Sequence, residues 1–225
     1  MAKAISLTSS QSRFWRAVEH HQEILRACSD LTPQRVMSSS WEDFSRLSAH
    51  AQANIIRGIT QLNQLLIAAS KSGVGLTNDR RLTWFAISRL GLLPCSDAFD
   101  QIKDSDFVEI YNTEGIQIFR NLEFYQLISY SIAEITLYPW YKLYGRHTNF
   151  ATQIRTEAFG KALDGRRETF RPAIDTHESW ELISRDQRRF QIWPGVISPL
   201  FDRGGRAVAF LATSQRCRVG EDLHS

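Results

Sequence analysis

The stretch HESWE at 177–181 puts His177 and Glu181 on one side of an alternating strand. An imidazole beside a carboxylate suits acid–base work, but no third partner completes a catalytic set. No GxxxxGK[ST] phosphate loop, HExxH zinc helix or GxSxG elbow occurs. Cys28, Cys95 and Cys217 are far apart and odd in number, which fits neither a disulfide framework nor a metal knuckle. Arg166, Arg167, Arg171, Arg185, Arg188 and Arg189 cluster late and could meet an acidic partner or nucleic acid. Asp175, Glu178, Glu181 and Asp186 interleave with them and weaken any field of one sign, so a solvated surface is expected there. These residues give no reason to expect an enzyme, and the protein is expected to be non-catalytic.

The aromatic side chains Trp140, Tyr141, Tyr144, Trp180 and Trp193 could fill a core or line an apolar pocket. A formal charge of +3 is too weak an excess to point to nucleic-acid binding. Hydrophobic residues at 43% can bury a core. The longest apolar runs, such as LLIAA at 65–69, fall far short of the roughly 20 residues that cross a bilayer. No signal-peptide run opens the chain, so a cytoplasmic protein without a membrane partner is expected.

The elements that position these groups change character near Pro94. Phe14, Val18, His21, Leu25 and Cys28 share a helical face. A second helix is expected after SSS at 38–40, with Ser39 and Glu42 spaced as a capping box. Its stripe of Phe44, Leu47, Ala51, Ile55, Ile59, Leu62, Leu66 and Ala69 runs to KSGVG at 71–75. Such a helix would be roughly 45 Å long, suited to a local antiparallel pair or to a dimer seam. A third helix is expected from Thr77 to Leu90.

Beyond 105, DFVEIYN and IQIFRN predict strands around a turn at Gly115. LEFYQLISYS, SIAEITLY, YPWYKLYGR at 138–146 and TNFATQIRTEAFGKAL at 148–163 predict helices. Segments 177–184, 188–201 and 206–215 predict closing strands, with DRGG at 202–205 as a hairpin. Pro194 and Pro199 should fall at bulges or non-donating positions. The expected class is α+β: an N-terminal helical segment, then a five-stranded antiparallel sheet with helices on one face.

The second part resembles the PAS-domain family. NTEG at 112–115, Asn121, SYS at 129–131 and AEI at 133–135 have that family's order and spacing. Ser129 departs from it, standing where glycine is usual. The tail FQIWPGVISPLFDRGGRAVAFLATSQ at 190–215 is similar to the last PAS hairpin. The resemblance divides the chain into a helical region at 1–94, for dimerisation or signalling, a PAS-like sensor domain at 95–217 and a flexible tail at 218–225.

The resemblance implies sensing. The photo-adduct cysteine of flavin-binding relatives is replaced by Thr148 in GRHTNFATQ, so flavin is not expected. Haem would need an axial imidazole, for which His147 and His177 are the candidates, and a lone histidine argues for it weakly; the cofactor is left unknown. A ligand pocket is expected among Ile110, Phe124, Leu127, Leu143, Phe150, Ile154, Trp180 and Val196. The expected role is a non-catalytic sensory or regulatory protein that binds a small ligand or a protein partner and signals through its N-terminal helices or as a homodimer. The alternative is a structural adaptor with no small-molecule ligand.

Overall fold

In the computed structural model the 3- and 4-residue spacing of the N-terminal apolar residues becomes four helices: α1 (Ser9–Cys28), α2 (Ser38–Arg46), α3 (Ala49–Lys71) and α4 (Asp79–Arg89). The structure describes residues 9–28, 38–77, 79–95, 97–98, 100, 102–103, 106–146, 152–172, 176–184 and 186–219. Phe14, Val18, His21 and Leu25 are all fully buried along α1. Phe14 stacks on Phe44 of α2 with ring centroids 4.1 Å apart.

The single long helix expected between SSS at 38–40 and KSGVG at 71–75 is two helices, α2 and α3. Ser48 caps α3, its side chain accepting from the Ala51 amide, and its extended ψ of 153° breaks the helical path. Ile59, Leu62, Leu65, Leu66 and Ala69 of α3 are then buried inside this chain. Each large aliphatic side chain there contributes about 1.5–3 kcal/mol of burial. The stripe that suggested a dimer seam is used within one molecule. The Ser39 side chain of the expected capping box lies outside the described residues.

A polar turn with glycine starts the sheet. Strands β2 (Phe107–Asn112) and β3 (Gln117–Arg120) form the hairpin. Asn112 Oδ1 accepts from the Glu114 and Ile116 amides, and Gly115 takes a φ of +78°. Asn121 accepts from the Val108 amide and donates to the Asp106 carbonyl, fixing the exit from β3. Three short helices follow: α5 (Leu122–Leu127), α6 (Ile132–Leu137) and α7 (Trp140–Leu143). Ser131 and Glu134 form a capping box at the start of α6.

The run read as one helix over 138–146 turns into a strand. Helix α7 stops at Leu143, and β4 (Tyr144–Arg146) pairs antiparallel with β5 (His177–Glu181). At Gly145 the Trp180 indole lies where a Cβ would stand, 2.1 Å from Nε1, so only glycine fits. Segment 148–163 is partly a π-helix, Ile154–Gly160, continued by α8 (Lys161–Leu163). Leu163, at its end, is exposed. Strand β6 (Arg189–Phe201) and strand β7 (Ala207–Val219) close the sheet, β7 running into the segment assigned to the tail. The register between them shifts from Pro194 to Ile197, so Pro194 sits at a bulge.

The sheet order is β3-β2-β7-β6-β5-β4, with β1 (Leu93–Pro94) added against β6. The described residues form seven strands in place of the five expected, because β1 and β4 cover edges of β6 and β5 that five strands would leave bare. The class is α+β, with the N-terminal helices followed by a curled PAS-like antiparallel sheet and its helices. Helices α1, α2 and α3 pack on α6, and α3 also reaches β3. One continuous apolar core runs from Phe14 to Leu211.

Candidate functional site

Alternation along β2 decides where the polar groups go. Glu109 and Tyr111 point to one face and Ile110 to the other, and all three are buried. On the Glu109 face, Phe210 of β7 meets Phe159 of the π-helix at 4.2 Å between ring centroids. Between this face and the π-helix lies a cavity of about 60 Å³. Ile154, Phe159, Ile192 and Ile197 supply its apolar wall, and Glu109, Tyr111, Arg146 and His177 bring polar atoms to it.

Of the described residues expected to form a pocket, Ile154 alone lines this cavity. Ile110 is fully buried on the opposite face. Phe124, Leu127 and Leu143 pack in the core, at 3%, 4% and 0% exposure. Trp180 lies against Gly145. Val196 is buried, its amide donating to Thr213 Oγ1 beside the β6 bulge. Phe150, His147 and Thr148 lie outside the described residues. The π-helix Ile154–Gly160 adds a wall that helical spacing in the sequence does not place, since its side chains advance at a different angle per residue.

Part of the polar wall, Glu109 with Tyr111, is hydrogen-bonded. The Tyr111 hydroxyl donates to Glu109 Oε1 at 2.6 Å. Gln117 Nε2 donates to the same oxygen and, at 3.0 Å, to the Tyr111 oxygen. Burial pushes the Glu109 carboxyl above the usual carboxylate range; the Tyr111 hydrogen bond, Arg146, Arg120 and Gln117 oppose it. Burial, with Glu109 beside it, also holds the Tyr111 hydroxyl well above its ordinary value. Arg146 stacks over Trp140, its guanidinium carbon 4.7 Å from the ring centroid, and lies 5.9 Å from the Tyr144 centroid.

Arg120 is the unusual member. It pairs with Glu109 across the hairpin, so both share a face. It is 2% exposed, and none of its three side-chain nitrogens has a hydrogen-bond partner among the described residues. Its guanidinium sits 5.7 Å from the Tyr125 ring centroid. A guanidinium stays charged, so this placement costs several kcal/mol.

Tyr125 leads to the N-terminal helices. His21 Nδ1 donates to Asn63 Oδ1 at 2.6 Å, and the Tyr125 hydroxyl donates to His21 Nε2 at 2.8 Å. Asn63 Nδ2 donates to the Ala17 carbonyl, which fixes the amide and therefore the imidazole tautomer. Burial lowers the His21 pKa to about 4, helped by the Arg120 charge and opposed by the Asn63 hydrogen bond.

The His177–Glu181 pair does not act as a unit. Glu181 is buried and accepts from the Ser129 amide at 2.6 Å, from both the Ser129 and Ser184 hydroxyls, and from the Arg188 amide at 3.1 Å. It ties the SYS turn to β5, while His177 lines the cavity. No residue other than glycine among those described takes a positive φ except Gln187, so Ser129 occupies the glycine position without left-handed backbone. Two of the late arginines pair locally: Arg189 with Glu178 at 3.4 Å and Arg188 with Asp186 at 3.8 Å. Arg185 lies outside the described residues. Among the described residues no cluster of three His, Cys, Asp or Glu could hold a metal ion. No helix among them is long and apolar enough to cross a membrane.

No family model and no curated protein matches the chain. Among solved structures, the PAS domain of a protein from Colwellia psychrerythraea is 20% identical; the match covers 54% of this chain and 92% of that one, with a TM-score of 0.37. An RNA-binding light-oxygen-voltage receptor is 14% identical, with 95% of this chain and 65% of that one covered and a TM-score of 0.35. This chain therefore spans under two thirds of the receptor's length. By the hairpin at 107–120, the short helices after it and the three closing strands that return beside β2, the fold of the second part is PAS-like.

Proposed function

We propose that this protein is a non-catalytic sensory or regulatory module whose PAS-like cup takes a small ligand and passes its occupancy to the N-terminal helices. One observation carries this: the cavity wall and the helical layer are joined by a short run of buried polar groups. Glu109 lines the cavity, Arg120 stands beside it on the same face, Tyr125 lies under Arg120, and His21 binds Tyr125. A ligand that favours one arrangement of this run by a few kcal/mol would shift the helices between populations. Output would then reach a second copy of the chain or another protein through α1–α4.

The test is a small-molecule library screened by thermal shift and native mass spectrometry, followed by hydrogen exchange with any binder. A binder that changes protection in both β2 and α1 supports the module. Binders that alter β2 and leave α1 unchanged, or a library with none, would sink it and favour an adaptor.

A further inference from the structure

The charges around the cavity do not balance. The groups acting electrostatically on Glu109 are two guanidinium groups, Arg146 and Arg120, set against one carboxyl. Arg146 borders the cavity, and its buried Nε has no hydrogen-bond partner among the described residues. Arg120 is buried, and none of its three side-chain nitrogens has a hydrogen-bond partner among the described residues. A buried positive charge of this kind calls for an anion. Beside Tyr111, His177, Thr213 and Ser214, the wall includes Trp140, Ile154, Phe159, Ile192 and Ile197, so the anion should carry a short hydrocarbon body. At about 10–15 Å³ per water-sized occupant, the cavity of about 60 Å³ takes roughly five heavy atoms.

We propose that this cavity binds a small organic carboxylate, its oxygens paired with Arg146 and its charge further balanced by Arg120 behind Glu109. The aliphatic end packs on Ile154, Phe159 and Ile192. The proposal rests on the sensory reading above and names the chemistry of its ligand. It also gives Arg120 a use: its buried charge lowers the stability of the empty protein and raises the affinity for an anion.

The experiment is calorimetric titration and thermal shift of the full chain with linear carboxylates of two to five carbons, the matching neutral amides, and inorganic phosphate. At least one carboxylate should bind and raise the melting midpoint, with its amide and phosphate giving no shift. Arg146→Gln should weaken that binding at least about tenfold, the loss of one charge-assisted contact. Arg120→Met should weaken binding while raising the midpoint of the empty protein, because it removes a buried charge with no hydrogen-bond partner among the described residues. Amides that bind as well as carboxylates would overturn the inference and leave the sensory reading intact. So would a panel with no binding carboxylate when the wider library yields a neutral binder. Arg120→Met that lowers the empty protein's midpoint would overturn the role of Arg120. Failure of both panel and library would remove the sensory reading itself.

Discussion

His21 and Tyr125 are 104 positions apart in the chain, and their side chains meet at 2.8 Å. With Asn63 on the other ring nitrogen, one imidazole joins α1, α3 and α5. His21→Phe keeps an aromatic of similar size but leaves the Tyr125 hydroxyl and Asn63 Oδ1 without this partner. Each buried orphan costs about 1–3 kcal/mol, so urea unfolding should show a loss of about 2–6 kcal/mol. Tyr125→Phe orphans only Nε2 and should cost less. The double variant should lose less than the sum, because both remove the same bond.

The same imidazole makes stability depend on pH. Its folded pKa of about 4 lies below the ordinary 6.5. Below pH 6.5 the unfolded chain takes up a proton that the fold refuses. Stability therefore falls as pH drops from 6.5 towards 4 and levels off below. Between pH 6.5 and 5 the contribution is about 2 kcal/mol. Glu109 acts in the opposite sense: its raised pKa makes stability fall as pH rises from the ordinary carboxylate value through the folded one. Unfolding free energies at both pH values, compared between wild type and His21→Phe, isolate the histidine. The wild type should lose more on acidification, and equal losses would contradict a buried neutral His21.

Ser129 stands where glycine is usual in the resemblance, and its hydroxyl and amide both donate to Glu181. Ser129→Gly restores the usual residue and removes one of the donors to a buried carboxylate. It should destabilise the protein by about 1–3 kcal/mol, measured by urea unfolding. An unchanged or raised stability would show that the Glu181 tie contributes nothing.

The scaffold was legible where local chemistry decides it. Asn112, Gly115, Asn121, Ser131 and Glu134, marked out by the PAS resemblance, bond within a few residues or across one hairpin. The cavity was not legible, because β2 is buried on both faces. Alternation then carries no information about which side is inward, and Glu109 with Tyr111 resembles a solvent face. Arg120 gave no signal either, since nothing local marks an arginine for burial. The break at Ser48 was hidden because Leu47 and Ala51 keep helical spacing across it. Strand β4 was hidden in an aromatic run, and the partner that makes it a strand, β5, lies over thirty residues on.

Gly145 shows how that distant pairing is enforced. Its missing side chain is the space that the Trp180 indole occupies, and Gly145 pairs with Trp180 in the β4–β5 register. A Cβ at 2.1 Å from Nε1 cannot be absorbed without moving the indole or separating the strands. Gly145→Ala should therefore destabilise by about 1–3 kcal/mol, the range for overpacking a filled site. Trp180→Ala loses packing of its own but frees the space. In the Trp180→Ala background, Gly145→Ala should cost little, giving a coupling of about 1–3 kcal/mol in the cycle. Denaturation of the four proteins measures it. Additive losses would show that the tryptophan does not occupy the space beside Gly145, and that β4 is held by its backbone bonds alone.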